Sequence, residues 1–143
     1  MEKLNIKQVK NKHEYNKTIN IRETVFIKEQ NVPKEIEMDE FDKESEHFIV
    51  YLKNIPIGCA RIRKINDYLK LERIAILKEY RGKGFGKDLT NFLINYCKKK
   101  GINEIRLHSQ IYISNFYEKL GFKRIGKKFL EADIEHIEMI RRI

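Results

Sequence analysis

Residues 68–109 constrain the fold more than any other stretch. YLKLERIAIL (68–77) alternates as a strand, and EYRGKGFGKDL (79–89) follows it with Gly82, Gly84 and Gly86. Leu89, Phe92, Leu93, Tyr96 and Cys97 then recur on one helical face, Gly101 stands where that helix should stop, and NEIRLHS (103–109) alternates again. A strand, a covering helix and a second strand need a crossover connection, so the two strands lie parallel. Upstream, HFIVYLK (47–53) and PIGCARIRKI (56–65) are joined by short turns marked by Asn54, Pro56 and the Asn66-Asp67 pair, which makes an antiparallel meander. The sheet is therefore mixed.

The remaining elements follow from the same periodicities. KLNIKQV (3–9) reads as a first strand. Asn11 caps a helix that carries Tyr15, Ile19, Arg22 and Phe26 to about residue 30. Pro33 opens a short segment, IEMDEFDKESE (36–46) reads as an acidic loop, and Glu35-Ile36-Glu37-Met38-Asp39-Glu40 either attracts a cationic acceptor or is simply solvated. ISNFYEKL (113–120) forms a short helix stopped by Gly121, and strands near 122–126 and 135–142 close the chain. The expected order is β-α-α-β-β-β-α-β-α-β-β, an α/β (α+β) arrangement with a mixed central sheet. No repeat or linker interrupts the 143 residues, so one domain, 1–143, is expected.

The formal charge of +9 favours an anionic ligand, but the 30 Lys and Arg are scattered among 21 acids and carry no nucleic-acid-binding signature. No nucleic-acid partner is expected. Cys59 and Cys97 form no ligand pattern and sit in apolar stretches, as reduced thiols of a cytoplasmic protein would. MEKLNIKQVK lacks the apolar segment of a signal peptide, and no apolar run approaches the roughly 20 residues that cross a bilayer, so no membrane partner is expected. His47, His108 and His136 have no local ligand spacing, and no metal is expected.

The glycine turn sits between a strand and a helix, where backbone N–H groups can cradle phosphate. It is not a Walker loop, because Asp88 occupies the hydroxyl position. Nor is it a dinucleotide fingerprint: the third glycine comes one residue early, and a meander precedes it.

Arg81-Gly82-Lys83-Gly84-Phe85-Gly86, after a strand containing Ile74 and Ile76, together with the later SNFYEKLGF (114–122), resembles the acetyl-CoA-binding core of the GNAT superfamily of N-acetyltransferases. RETVFIKEQNVPKEIEMDEFD (22–42), LHSQ (107–110) and FLEADIEHIEM (129–139) are similar to the ElaA-like branch. That branch tends to read Gly-Ile-Pro-His where this chain has Asp133-Ile134-Glu135-His136.

The resemblance implies an enzyme that moves the acetyl group of acetyl-CoA to a primary amine in a direct ternary complex. The competing reading is a non-catalytic acyl-CoA sensor or partner subunit of the same fold. By the resemblance, Ile74, Ala75 and Ile76 pair with the pantetheine arm, and Arg81, Gly82, Lys83, Gly84, Phe85, Gly86 and Lys87 meet the phosphates. Asn115 contacts the cofactor, and Tyr117 protonates the departing thiolate. Glu72 is the candidate base, since strand parity would put it beside Ile74 and Ile76; a paired surface carboxylate is its alternative. Phe26, Glu29, Gln30, His108 and His136 are candidate acceptor contacts. A homodimer is compatible with this fold and is left open by the sequence.

Overall fold

The computed structural model describes residues 3–143. The strands are β1 (Leu4–Gln8), β2 (Glu46–Leu52), β3 (Ile55–Ile65), β4 (Tyr68–Ile76), β5 (Glu104–Gln110), β6 (Lys123–Glu131) and β7 (Ile134–Arg142). The helices are α1 (Lys12–Arg22, continued as π-helix over Glu23–Glu29), α2 (Lys34–Glu37), α3 (Phe85–Lys99) and α4 (Ser114–Glu118). The strands form one mixed sheet in the order β1-β2-β3-β4-β5-β7-β6, and the chain order of elements is the expected one.

Local signals set the element ends. Asn11 caps α1 by accepting from the Glu14 N–H at 2.8 Å, and Gly101, at φ +75, releases the chain after α3. Helix α3 buries Phe85, Leu89, Leu93, Ile94 and Cys97 against one sheet face, where they join Phe48, Val50, Ile62 and Leu71 in the larger core. Helix α1 packs Ile21 and Val25 on Cys59 and Ala75 of the opposite face. Both cysteines are buried free thiols, and burial pushes each up to about 12. No helix among the described residues is long and apolar enough to cross a membrane.

Two features depart from the sequence reading. Strand β6 does not end near residue 126 but runs to Glu131, turning into β7 through Ala132 and Asp133, both at positive φ. The acidic stretch is more than a solvated loop. It holds α2, and three of its carboxylates are spent on arginines, Glu37 on Arg22 and Arg73, Asp39 on Arg61 and Arg73, and Asp42 on Arg22 and Arg61, while Glu40 and Glu44 stay exposed. Arg22 and Arg61 are each only 1% exposed, so this lattice pins residues 37–42 onto the sheet from within.

The sheet is split at its centre. Strands β4 and β5 pair in parallel only at Leu69–Leu71 with Ile105–Leu107, after which they diverge. A bulge contributes to the divergence. Cys59 faces Ala75 and Arg61 faces Glu72, so Arg73 and Ile74 together oppose Ala60, with Arg73 at φ +56.

Candidate active site

The diverging strands open onto a cavity of about 550 Å³. Its floor is Glu72–Ile76 on β4 and His108–Gln110 on β5, and the C-terminal half of α1 and residues 112–117 flank it. The π-helical turns of α1 widen that wall and bring Phe26, Glu29 and Gln30 to the cavity; Gln110 reaches across to donate to the Gln30 side chain at 2.9 Å.

Backbone geometry leaves β4 with a free inner edge here. The Leu77 N–H donates to Ile57 O of β3 at 2.8 Å, so by alternation the Ile76 and Ile74 N–H groups point the other way, into the gap left by β5. The approach of β3 on the outer side depends on Gly58. A Cβ there would lie 2.7 Å from Ile76 Cδ1 and 2.8 Å from Ala75 O.

At the end of β4 the glycine turn leads into α3. Gly82 and Gly84 take φ +78 and +85, where a side chain would be strained, and Gly84 precedes the first turn of α3. The first helical bond runs from the Asp88 N–H to Gly84 O at 3.1 Å, so the N–H groups of residues 85–87 have no acceptor within the helix. Lys83 and Lys87 are exposed beside them. Three of the expected contacts are otherwise engaged. Phe85 turns its side chain into the core and leaves only its N–H to the turn. Asn115 lies at the surface and accepts from Arg124 at 3.0 Å. Arg81 donates from Nε to Ile76 O at 2.8 Å and grips the Glu29 carboxylate through both terminal nitrogens, at 2.6 and 3.0 Å. It ties the end of α1 to the end of β4, and it holds the Glu29 carboxyl below its usual range.

Tyr117 lines the cavity, with its ring edge-on to Phe116 and Phe122. Its hydroxyl has no hydrogen-bond partner among the described residues, yet no fully buried side-chain oxygen there is left unsatisfied. The oxygen is therefore open to the cavity. Burial pushes the phenol well above its ordinary value, so it stays protonated across neutral pH.

Glu72 does not fit the base role. The bulge at Arg73 and Ile74 cancels the parity that would align it with Ile74 and Ile76, and it shares a face with Ala75 instead. Its carboxylate accepts from Arg61 at 2.8 and 3.1 Å and from Arg63 at 3.0 and 3.1 Å, and Lys70 lies 3.1 Å away. Burial alone would raise its pKa, but the Arg63 hydrogen bonds and the charges of Arg61, Lys70 and Arg63 more than offset that and hold it at about 2. A carboxylate so stabilised is too weak a base to take a proton from an ammonium.

The same cavity is lined by a group that sequence reasoning only half found. His108 Nδ1 lies 2.9 Å from Glu131 Oε1, and His136 Nε2 lies 3.8 Å from Glu131 Oε2. The Phe129 ring separates the two imidazoles, edge-on to His108 and stacked on His136. The two histidines are visible in the sequence as candidates. Glu131 joins them only because β6 reaches further than its first turn suggests; the alternation in FLEADIEHIEM was the available signal.

A mixed sheet split at its one parallel pair, with a glycine turn opening the following helix, defines the acyl-CoA N-acyltransferase fold. The chain belongs to the GNAT acetyltransferase family: the profile of the acetyltransferase (GNAT) domain matches residues 7–143. It is 39% identical over 133 residues to the uncharacterised N-acetyltransferase YjcF of Bacillus subtilis, covering 92% of this chain and 95% of that one. Escherichia coli ElaA superposes with a TM-score of 0.86 at 23% identity over 99% of both chains. A GNAT acetyltransferase of Elizabethkingia anophelis, solved with acetyl-CoA bound, superposes at 0.72 with 16% identity over 98% of both chains.

Proposed function

We propose that the protein transfers the acetyl group of acetyl-CoA to the nitrogen of a primary amine in a direct ternary complex. The observation that carries this reading is the free inner edge of β4 at Ile74 and Ile76, which opens on the same cavity as the Tyr117 hydroxyl. The acetyl-CoA in the Elizabethkingia relative supports the choice of donor.

The residues present fit that donor. Unpaired N–H groups at the start of α3, beside Lys83 and Lys87, suit a pyrophosphate, with Gly82 and Gly84 giving the backbone its left-handed turns. The edge of β4 suits an amide-bearing pantetheine arm, paired as an added strand. When bound, acetyl-CoA supplies an activated thioester. The Ile76 N–H is the chain's donor for charge developing on a carbonyl oxygen in the gap. Tyr117 Oη holds a proton facing the cavity. Its raised pKa makes it first a hydrogen-bond donor to departing sulfur, with full transfer requiring return of a proton from the attacking nitrogen.

The test is a thermal-shift titration with acetyl-CoA, ATP and NAD, followed by free-thiol release across primary amines. At acetyl-CoA concentrations about 100-fold above Kd, selective stabilisation of about 2.7 kcal/mol is expected. Thiol release should require an amine and should fall about 10²-fold in Tyr117→Phe. Stabilisation without thiol release from any amine identifies the non-catalytic sensor instead. A Tyr117→Phe variant with unchanged turnover at every pH removes Tyr117 from the chemistry.

A further inference from the structure

Transfer to an amine needs a base, and Glu72 is too firmly paired to be one. His136 is 7% exposed, yet it lines the cavity. Its Nδ1 lies 2.7 Å from Ile134 O, and because a carbonyl only accepts, Nδ1 must carry the proton. The lone pair is thereby assigned to Nε2. That nitrogen has no hydrogen-bond partner, and no buried side-chain nitrogen among the described residues lacks one, so Nε2 is open to the cavity. Phe129 holds the ring by stacking at 6.0 Å and 23°.

Glu131 completes the arrangement. One oxygen accepts from His108 Nδ1 at 2.9 Å, and the other lies 3.8 Å from His136 Nε2. The charged and titratable groups around these side chains include Glu131 on β6, Glu138 on β7, His108 on β5, Lys70 on β4 and Arg106 on β5, which lies 3.5 Å from Glu138. Phe26 and Ile134 give the same cavity apolar lining.

We propose that His136 Nε2 is the general base that deprotonates the acceptor, and that Glu131 holds the acceptor's ammonium group beside it. This rests on the transferase reading above. The acceptor enters as R–NH3+ and is drawn to the Glu131 carboxylate. One N–H bond breaks, the electron pair stays on nitrogen, and the proton moves to Nε2. The resulting imidazolium lies against Glu131, which compensates its charge, and the proton then passes to solvent. The acceptor class is a primary aliphatic ammonium on a body that tolerates an apolar wall.

The test compares wild type, His136→Gln, His136→Asn and Glu131→Gln with spermidine, tyramine and Nα-acetyl-lysine amide as acceptors, between about pH 6 and 9. Acetyl-CoA thermal shifts on the same proteins show that each is folded and binds donor. His136→Asn keeps an N–H able to reach Ile134 O but has no base, so it separates a catalytic role from a structural one. Both His136 variants should lose about 10²-fold or more in kcat with the rise of rate with pH abolished, and their KM for acetyl-CoA should be unchanged. Glu131→Gln should raise the acceptor KM at least about tenfold. Full activity in His136→Asn makes the histidine structural and overturns the proposal, as does a wild-type pH profile in His136→Gln. If wild type itself releases no thiol with any amine, the transferase reading fails and takes this assignment with it.

Discussion

Glu72 offers the sharpest quantitative test of the interior. Replacing it with Gln keeps its shape and removes one negative charge from among Arg61, Arg63 and Lys70. The carboxyl titrates at 4.5 when unperturbed and at about 2 in the folded protein. At 1.36 kcal/mol per pH unit, that difference is worth roughly 3 kcal/mol. The folded-state value is depressed, so the stabilisation is fully present above about 4.5, where both states are ionised. As the pH falls toward 2 the unfolded chain takes up a proton that the folded one does not, and the stabilisation drains away. Glu72→Gln should therefore lower stability at neutral pH by roughly 3 kcal/mol. At the entropy density usual for a chain of this size, Tm falls by about 10 °C. The deficit should shrink steadily on acidification and nearly vanish by about pH 2. Urea titrations followed by far-ultraviolet dichroism at several pH values read both quantities. Equal midpoints for wild type and variant at neutral pH refute the reasoning, and so does a gap of constant size down to pH 2. The pH dependence of turnover should keep its wild-type midpoint, since the residue serves the fold and not proton transfer.

Other perturbations probe the backbone of the site. Gly58→Ala drives a methyl into Ala75 O, so β4 must shift at Ile76; a loss of about 2 kcal/mol in unfolding and weaker acetyl-CoA binding by calorimetry are expected together. Gly84→Ala meets no neighbour, but its φ of +85 strains an L-residue, which should cost about 1–2 kcal/mol and weaken acetyl-CoA binding. Ala132, at φ +51 in the β6–β7 turn, carries the opposite expectation: Ala132→Gly should stabilise by about 1 kcal/mol in the same titrations.

The order of elements was legible because each rests on a short-range signal. Asn11, Gly101 and Gly121 mark ends, and alternation marks strands, so the crossover around the glycine turn follows from the chain itself. The site was harder to read where it depends on backbone irregularity. The bulge at Arg73 has no marker in composition, yet by adding one residue it turned Glu72 away from Ile74. The arginine lattice was invisible for another reason. Asp39 meets Arg61 and Arg73 across more than twenty residues, and no local window contains both ends of such a pair. Arg81 belongs to the same class: its position in the motif suggested phosphate, while its partner, Glu29, came from a helix far upstream.

The three paired positions joining β4 to β5 have a consequence for how the molecule breathes. They leave a central strand with the properties of an outer one. Amides at Ile74 and Ile76 lie in mid-sheet, but with no strand opposite them they should exchange with solvent as quickly as those of an unprotected border. The usual guards of such a border, a proline or an inward lysine, are missing from residues 74–76. The guarding is done from above, by the π-helical end of α1 latched through Arg81 and by residues 112–117. The seam is thus the place where the four-stranded and three-stranded halves of the sheet can flex against each other, and a ligand that pairs with it stitches the two into one plate.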